Sequence, residues 1–250
     1  MNSFWAVFKR ELKSYFTTPL AYVFLVVFLA AMAHITFDKQ GFFLAREANL
    51  MVFFWVMPDR LILLVSAIAM RLWAEERKVG SIELLLTLPV TVTQAVLGKF
   101  FAAWFFLAIA LACTFTMVIT VCFLGDPDIG PIITGYVGTC LMAGGYLSIG
   151  CFFSAVSKSQ VIAFVLSAVT CALFCHLDDP SLQNFLSDFL PDFLVEGMGE
   201  MPAVKWLSVR RHFESSVLGV LRLRDISYFV LLIGGWTAAC VAILDDRKAT

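Results

Sequence analysis

Residues 96–124 read VLGKFFAAWFFLAIALACTFTMVITVCFL, and no charged residue follows Lys99 in this stretch. A hydrocarbon layer ~30 Å thick requires about 20 apolar residues in a spanning helix, so the stretch can cross a membrane if it is tilted. Five other apolar blocks are also long enough to span. In chain order the six blocks are 19–37, 50–73, 96–124, 131–156, 160–176 and 226–244. The sequence therefore predicts an all-α membrane protein with six transmembrane helices in a single domain, 1–250.

The composition of the chain fits a membrane protein and excludes a nucleic-acid-binding one. Of its 250 residues, 60% are hydrophobic and 15% are charged, whereas soluble domains average about 25% charged residues. The net charge is −1, and no basic run offers a surface for nucleic acid. All seven cysteines lie within apolar blocks, where they are expected to act as small packing residues. The lipid bilayer is therefore the first predicted partner.

The distribution of lysine and arginine predicts how the spans are oriented. With a cytoplasmic N-terminus, ten of the 18 basic residues lie on the cytoplasmic side. Five of the other eight lie in the long segment 178–225, and long translocated segments carry less weight in the positive-inside rule. The short connection 125–130 contains two aspartates and no basic residue, as an external loop can. We therefore predict that both termini are cytoplasmic.

Three segments outside the spans have patterns of their own. Residues 3–16 place aromatic and apolar side chains within a ~120° arc, which predicts an amphipathic helix in the membrane interface; a cytosolic helix packed on a partner is the alternative. Residues 74–95 begin with dense charge and continue with a leucine cluster that Pro89 ends, which indicates a docking surface. Segment 178–225, acidic first and helical afterwards, is predicted to be an extracytoplasmic helical segment before the last span.

Polar and small residues within the spans are candidates for function or for helix contacts. Asp59 and Arg60 lie in the outer half of the second span, where ionised groups usually face a cavity or each other. They line a substrate pathway or, if the span begins later, lie among the outer headgroups. The fourth span, 131–156, is rich in glycine, which permits close contacts between helices in lipid. Those contacts are either within the chain or between two chains.

A cysteine–histidine group lies at the outer end of the fifth span. Cys171, Cys175 and His176 lie near Asp178, and residues four or five apart on a helix can share a face and bind a soft metal. The chain has no zinc-finger spacing, so packing is the alternative interpretation.

The dipeptide Gly98-Lys99 has the form of the end of a phosphate-binding loop. Thr93 occupies the position of the first glycine, and Phe100 replaces the serine or threonine that would hold magnesium. The chain is therefore predicted not to bind ATP through this motif.

Between residues 70 and 99 the chain resembles the permease subunits of type-2 ABC transporters, and among them the branch related to gliding-motility permeases. The resemblance rests on Met70-Arg71, Glu75-Glu76-Arg77, Gly80-Ser81, Glu83-Leu84-Leu85, Pro89 and Gly98-Lys99. The amphipathic N-terminal helix, the six spans and the external segment before the last span agree with that family over nearly the whole chain. In one departure, the branch often carries a proline near Ser66–Ala67, where this helix continues.

The resemblance implies a permease of the bacterial inner membrane that couples ATP hydrolysis on a separate ATP-binding-cassette subunit to export. The ATPase would dock on a coupling helix within 75–88 and would itself bind ATP and magnesium, so this chain would have no catalytic, cofactor or metal site. The implied docking residues are Glu75, Glu76, Arg77, Gly80, Ser81, Glu83, Leu84 and Leu85. A second permease chain, identical or related, would complete the translocation path, and a periplasmic or membrane auxiliary protein is a further candidate partner.

Two other functions are compatible with the sequence. A non-transporting anchor would bind the same ATPase and transmit its force to an envelope partner. An intramembrane lipid-modifying enzyme would use His34, His176 or Asp59, although the chain contains no paired catalytic motif. Substitution of Glu76 and Arg77 distinguishes these functions, because the enzyme would tolerate it and the two ATPase-dependent functions would not.

Overall fold

The computed structural model describes residues 3–39, 49–80, 91–179 and 206–249. In chain order the helices are α1 (Ser3–Thr17), α2 (Pro19–His34, continued by a π-helical turn at Ile35–Lys39), α3 (Met51–Ala69), α4 (Ala74–Val79), α5 (Val92–Cys113), α6 (Phe115–Leu124), α7 (Ile129–Val156), α8 (Gln160–His176), α9 (Val209–Val217) and α10 (Leu223–Ala249). No strand occurs within the described ranges. The predicted all-α class is therefore confirmed for this part of the chain.

Five helical stretches in the described part of the chain are long and apolar enough to cross a membrane. They are Pro19–Phe37, Met51–Lys78, Val92–Leu124, Ile129–Val156 and Leu223–Asp246, and they correspond to five of the six predicted spans. The remaining helix, α8, has 17 residues and is about 26 Å long at 1.5 Å per residue. This is slightly less than the ~30 Å hydrocarbon thickness. The sixth span, formed by α8, therefore stays a prediction.

Helix α7 lies at the centre of the bundle because its glycines admit neighbouring helices. A Cβ added at Gly150 would lie 2.4 Å from the Cβ of Ala69 in α3, and one added at Gly138 would lie 2.6 Å from the Cβ of Ser216 in α9. The other close approaches are Gly135 to Phe54 of α3, Gly144 to Trp104 of α5 and Ile233 of α10, and Gly145 to Leu232 of α10. Small residues permit such approach in lipid. The glycine contacts described here are therefore within the chain.

The third predicted span is one apolar stretch that forms two helices. Thr91 is the N-cap residue of α5, and its Oγ1 accepts the N–H of Gln94 at 3.3 Å. At Thr114 the backbone N–H donates to Leu111, three residues back, and the hydroxyl donates to the same carbonyl at 2.6 Å. Tyr136 of α7 is hydrogen-bonded to that hydroxyl. The interruption between α5 and α6 was not predicted.

Helix α1 packs against α5. Gly98 admits the buried Val7, since a Cβ at Gly98 would lie 2.9 Å from Val7 Cγ1. The rings of Tyr15 and Phe106 stack with centroids 5.1 Å apart, whereas Trp5 is half exposed. Part of the predicted aromatic face is therefore used within the chain, and the placement of α1 in the membrane interface stays a prediction.

Helix α9 belongs to the predicted segment 178–225, of which 180–205 lie outside the described residues. Its buried apolar face consists of Val209, Phe213 and Val217. The helix lies in the second half of the segment, which the sequence predicts to be helical. Thr134 of α7 donates to the carbonyl of Ser216 at 2.7 Å, so α9 is held on α7 by a hydrogen bond as well as by apolar packing.

Candidate functional site: a charge cluster beside α4

Helix α4 is the described part of the predicted docking loop, and a serine of α7 fixes its beginning. A turn over 70–73 leads from α3 to α4. Ser154 Oγ accepts the N–H of Trp73 at 3.0 Å and that of Ala74 at 3.1 Å, and it donates to the carbonyl of Met70 at 3.1 Å. The first N–H groups of a helix lack partners within the helix. One hydroxyl of α7 therefore caps the turn and the start of α4.

A buried lysine of α5 is the centre of a group of charges beside α4. Lys99 Nζ lies 2.9 Å from Glu76 Oε1 of α4 and 3.1 Å from Glu11 Oε1 of α1, and its side chain is 2% exposed. It also lies 5.1 Å from the centroid of the Trp73 ring, a cation–π distance. Arg10 Nη2 lies 2.7 Å from Glu11 Oε1 and 3.3 Å from Glu76 Oε1. We call these two basic and two acidic residues, Arg10, Glu11, Glu76 and Lys99, the charge cluster; it joins α1, α4 and α5.

The position of Glu11 in the charge cluster favours its ionised form. Burial raises the pKa of Glu11, but the charge of Lys99 and the hydrogen bond and charge of Arg10 outweigh burial, so the pKa lies below its usual value of 4.5. Breaking a buried pair leaves an uncompensated charge and is strongly destabilising. The charge cluster therefore stabilises the packing of α1 as long as Glu11 stays ionised.

The other charged residues of α4 also have partners within the chain. Arg71 Nε donates to Glu75 Oε2 at 2.8 Å, one helical turn away. Arg77 Nη1 donates to the carbonyls of Ala155 at 2.6 Å and Val156 at 2.7 Å, at the end of α7. Carbonyls at a helix C-terminus lack intrahelical partners and carry the negative end of the helix dipole. Helix α4 is thus bound to α7 at its start through Ser154 and near its end through Arg77.

The eight predicted docking residues divide into two groups. Ser81, Glu83, Leu84 and Leu85 lie outside the described residues, and their contacts stay predictions. Among the described four, the side chain of Glu75 is 43% exposed and that of Glu76 is 19% exposed. Gly80 ends α4 with a φ of +77°, a left-handed conformation that favours glycine. Glu75 therefore faces outward, whereas Glu76 is directed at Lys99.

Sequence reasoning missed Lys99, Glu11 and Ser154 as parts of this site. One signal was available for Lys99, because it is the single charge in 96–124 and an ionised group in a span needs a partner. Glu11 lies 88 residues earlier, and nothing local connects the two. Ser154 has no distinguishing signal, since a serine in a glycine-rich helix is equally expected as a small packing residue.

The predicted pathway residues Asp59 and Arg60 are directed at different neighbours. Asp59 Oδ1 lies 2.9 Å from His176 Nε2 at the end of α8. Arg60 lines an apolar cavity of about 290 Å³ together with residues of α2 and α8 such as Phe28 and Phe164. The buried Nε of Arg60 has no hydrogen-bond partner among the described residues. A substrate pathway along either surface stays a prediction.

The cysteine–histidine group of α8 contains different residues from those that the sequence predicts. The thiol of Cys171 donates to the carbonyl of Tyr146, with Sγ 3.8 Å from the oxygen. Cys175 and His176 instead meet Asp59, with one ligand atom of each within 4.8 Å of the other two. The structure therefore removes Cys171 from the candidate metal ligands and adds Asp59, which lies more than 100 residues away in the chain.

The structure is that of a multi-pass helical membrane protein. Its long apolar helices pack around α7, and the short polar helix α4 is joined to them through the charge cluster. Residues 5–244 match the family described as ABC-2 family transporter protein, and the chain belongs to that family. It is therefore a membrane subunit of an ABC transporter and not the ATPase, and the predicted type-2 ABC permease is confirmed. Its assignment to the gliding-motility branch stays a prediction. No curated protein matches the chain.

Proposed function

We propose that this chain is the permease subunit of an export-type ABC transporter whose ATPase is a separate polypeptide docking on α4 and the residues that follow it. Two permease chains, identical or related, would enclose the translocation path in a bacterial inner membrane, with both termini of each chain in the cytoplasm. ATP and magnesium would be bound by the ATPase. The cycle of ATP binding and hydrolysis on the ATPase would move α4.

The observation that carries this proposal is the set of connections made by α4. It follows α3 after a turn of four residues, 70–73, and it is bound to α5 and α1 through the charge cluster. It is also bound to α7 through Ser154 and Arg77. A force applied to α4 therefore acts on four other helices, among them the central one. Such connections suit an element that transmits the motion of a motor into a bundle.

The partners of the acidic residues suggest a division of roles within α4. Glu76 is largely buried and paired with Lys99, so it suits transmission within the chain. Glu75 is more exposed and suits contact with the ATPase. The leucines Leu84 and Leu85 remain the proposed apolar anchors, because the sequence places a leucine cluster directly after charged residues, a pattern that favours a docking surface.

The experiment first searches the reading frames beside this gene for an ATPase with Walker motifs. That ATPase is then coexpressed with the permease, and the two are purified in detergent. We expect the ATPase to copurify, and Leu85→Ala to weaken binding about tenfold, the effect of truncating an anchor worth roughly 1–2 kcal/mol. Glu75→Gln should weaken binding less, because exposed ion pairs contribute about 0.2–1 kcal/mol. Asp245→Asn, an exposed carboxylate near the end of α10, is the matched control.

Binding and coupling are then measured separately. Glu76→Gln should leave copurification unchanged but reduce the effect of the permease on the rate of ATP hydrolysis, because it disrupts the contact between α4 and α5. If Leu85→Ala and Glu75→Gln bind the ATPase as strongly as Asp245→Asn does, docking on this loop is wrong.

A further inference from the structure

We propose that Asp59, Cys175 and His176 bind a divalent metal ion of the zinc type. Asp59 belongs to α3, and the other two residues belong to the last turn of α8. One ligand atom of each side chain lies within 4.8 Å of the other two. A point between three such atoms lies at most about 2.8 Å from each of them, and zinc ligands bind at about 2.0–2.3 Å. Side-chain shifts of less than about 1 Å would therefore complete the coordination.

The types of ligand select the class of metal. A thiolate, an imidazole and a carboxylate are the three side-chain ligands that zinc uses, whereas calcium and magnesium prefer oxygen ligands throughout. Cys175 is fully buried, while the side chains of His176 and Asp59 are 28% and 39% exposed. The group is thus closed on the cysteine side and accessible on the other. Three protein ligands with one open position are typical of zinc sites that accept water or another ligand.

A further carboxylate is placed to orient the histidine. His176 Nδ1 lies 3.6 Å from Asp179 Oδ2, while Nε2 faces Asp59. In metal sites the second ring nitrogen commonly faces a carboxylate, which fixes the ring and strengthens it as a ligand. The neighbouring Asp178 is engaged elsewhere, because Ser208 Oγ donates to its Oδ1 at 2.6 Å. That bond and the one from Ser208 to the carbonyl of Cys175 hold the end of α8 in place.

The charge of Asp59 is a second argument for a cation. Its neighbour in sequence, Arg60, is directed into the apolar cavity between α2, α3 and α8. Within the described part of the chain, the nearest ionisable partner of Asp59 is His176, with Nε2 2.9 Å from Oδ1, and His176 belongs to the same group of ligands. An ionised carboxylate within a span requires compensation, and a divalent ion bound between Asp59 and Cys175 would supply it.

A bound ion would join the middle of α3 to the last turn of α8. Because α3 leads through 70–73 into α4, occupancy of the metal site would favour one position of α3 and hence of α4. Metal binding itself depends on no ATPase, so it is tested independently of the proposed transport function.

The test uses the full-length chain, purified in detergent, treated with a chelator and titrated with Zn²⁺ against a chromophoric chelator. We expect the wild type to bind one zinc ion tightly per chain. Cys175→Ser and Asp59→Asn should bind zinc about 100-fold more weakly, because loss of a direct ligand should cost at least as much affinity as the largest losses seen for outer-shell partners. Asp179→Asn should weaken binding about tenfold. Cys171→Ser, the same substitution one turn earlier in α8, should bind as the wild type does.

Cobalt provides a readout that reports the thiolate directly. Co²⁺ bound to the wild type and to Cys171→Ser should show a sulfur-to-metal charge-transfer band, and Cys175→Ser should lack it. If Cys175→Ser does not fold, Asp59→Asn is judged by the zinc titration alone, because an asparagine has nearly the same shape and keeps a hydrogen-bond acceptor for His176. The proposal is overturned if the wild type binds no stoichiometric zinc, or if its affinity equals that of Asp59→Asn.

Discussion

Replacing Lys99 with methionine would remove the central positive charge of the charge cluster while keeping the length of the side chain. Lys99 Nζ contacts Glu11 and Glu76 from a side chain that is 2% exposed. Without it, two carboxylates would face each other with Arg10 as the remaining described base of the charge cluster. The expected effect is a loosened contact of α1 and α4 with α5.

The magnitude follows from the burial of the three partners. Removing one member of a buried ion pair costs about 3–5 kcal/mol. Glu11 and Glu76 retain 15% and 19% exposure, and Arg10 still neutralises part of their charge, so the lower value of about 3 kcal/mol is expected. In a chain of about this length, 1 kcal/mol lowers Tm by roughly 2–4 °C. Lys99→Met should therefore melt about 6–12 °C below the wild type.

The assay is thermal unfolding of the detergent-purified chain, followed by tryptophan fluorescence. Lys78→Met is the matched control, because Lys78 is exposed on α4 and surface substitutions change stability by about 0.5 kcal/mol or less. A double-mutant cycle with Glu76→Gln should show coupling of about 0.5–3 kcal/mol between Glu76 and Lys99. If Lys99→Met melts at the same temperature as Lys78→Met, the charge cluster does not stabilise the fold. If the effects of Lys99→Met and Glu76→Gln add, these two residues are not coupled.

Three further predictions concern packing, hydrogen bonding and pH, and each is measured by thermal unfolding. Gly150→Ala would bring a methyl group within 2.4 Å of an α3 side chain and should lower the free energy of unfolding by about 1–3 kcal/mol. Gly234→Ala, where an added methyl group meets nothing within 4 Å, is the control, and equal losses in the two variants would contradict the prediction. Ser154→Ala leaves the N–H of Trp73 and of the next residue without their partner and should cost about 1–3 kcal/mol, with faster hydrogen exchange at the start of α4; unchanged exchange would contradict this. The pKa of Glu11 is lowered, so the stabilisation that ionised Glu11 contributes is present above about pH 4.5 and is lost as the pH falls through the lower pKa of the folded state. Glu11→Gln should therefore lose less stability on acidification than the wild type does. Equal losses would refute the role of Glu11.

The positions of the helices were predictable because lipid imposes a simple requirement. Every backbone polar group must be satisfied within a spanning helix, and the helix must reach across the hydrocarbon layer. The predicted block 131–156 became α7 at Ile129–Val156, and the block 160–176 became α8 with the same bounds. The interruption at Thr114 was not predictable, since it depends on a hydrogen bond to Tyr136, a residue of another helix.

The candidate site was only partly predictable, because charge density shows where polar residues lie and not which of them meet. The sequence indicated that 75–77 is highly charged and beside a membrane span. It did not indicate that Glu76 turns inward, because this depends on α1 lying against α5 at Gly98 and bringing Glu11 close to Lys99. Contacts of that kind arise from tertiary packing and leave no local pattern.

The charge cluster also implies an order of events during synthesis. Arg10 emerges from the ribosome 89 residues before Lys99, an interval of roughly 5–20 s at the usual rates of translation. Throughout that interval the charges of α1 have no counterpart on α5, and the later hydrophobic stretch then arrives with a lysine whose acceptors already exist. The N-terminal helix is thus made first, yet it reaches its final place only after the third stretch has entered the membrane.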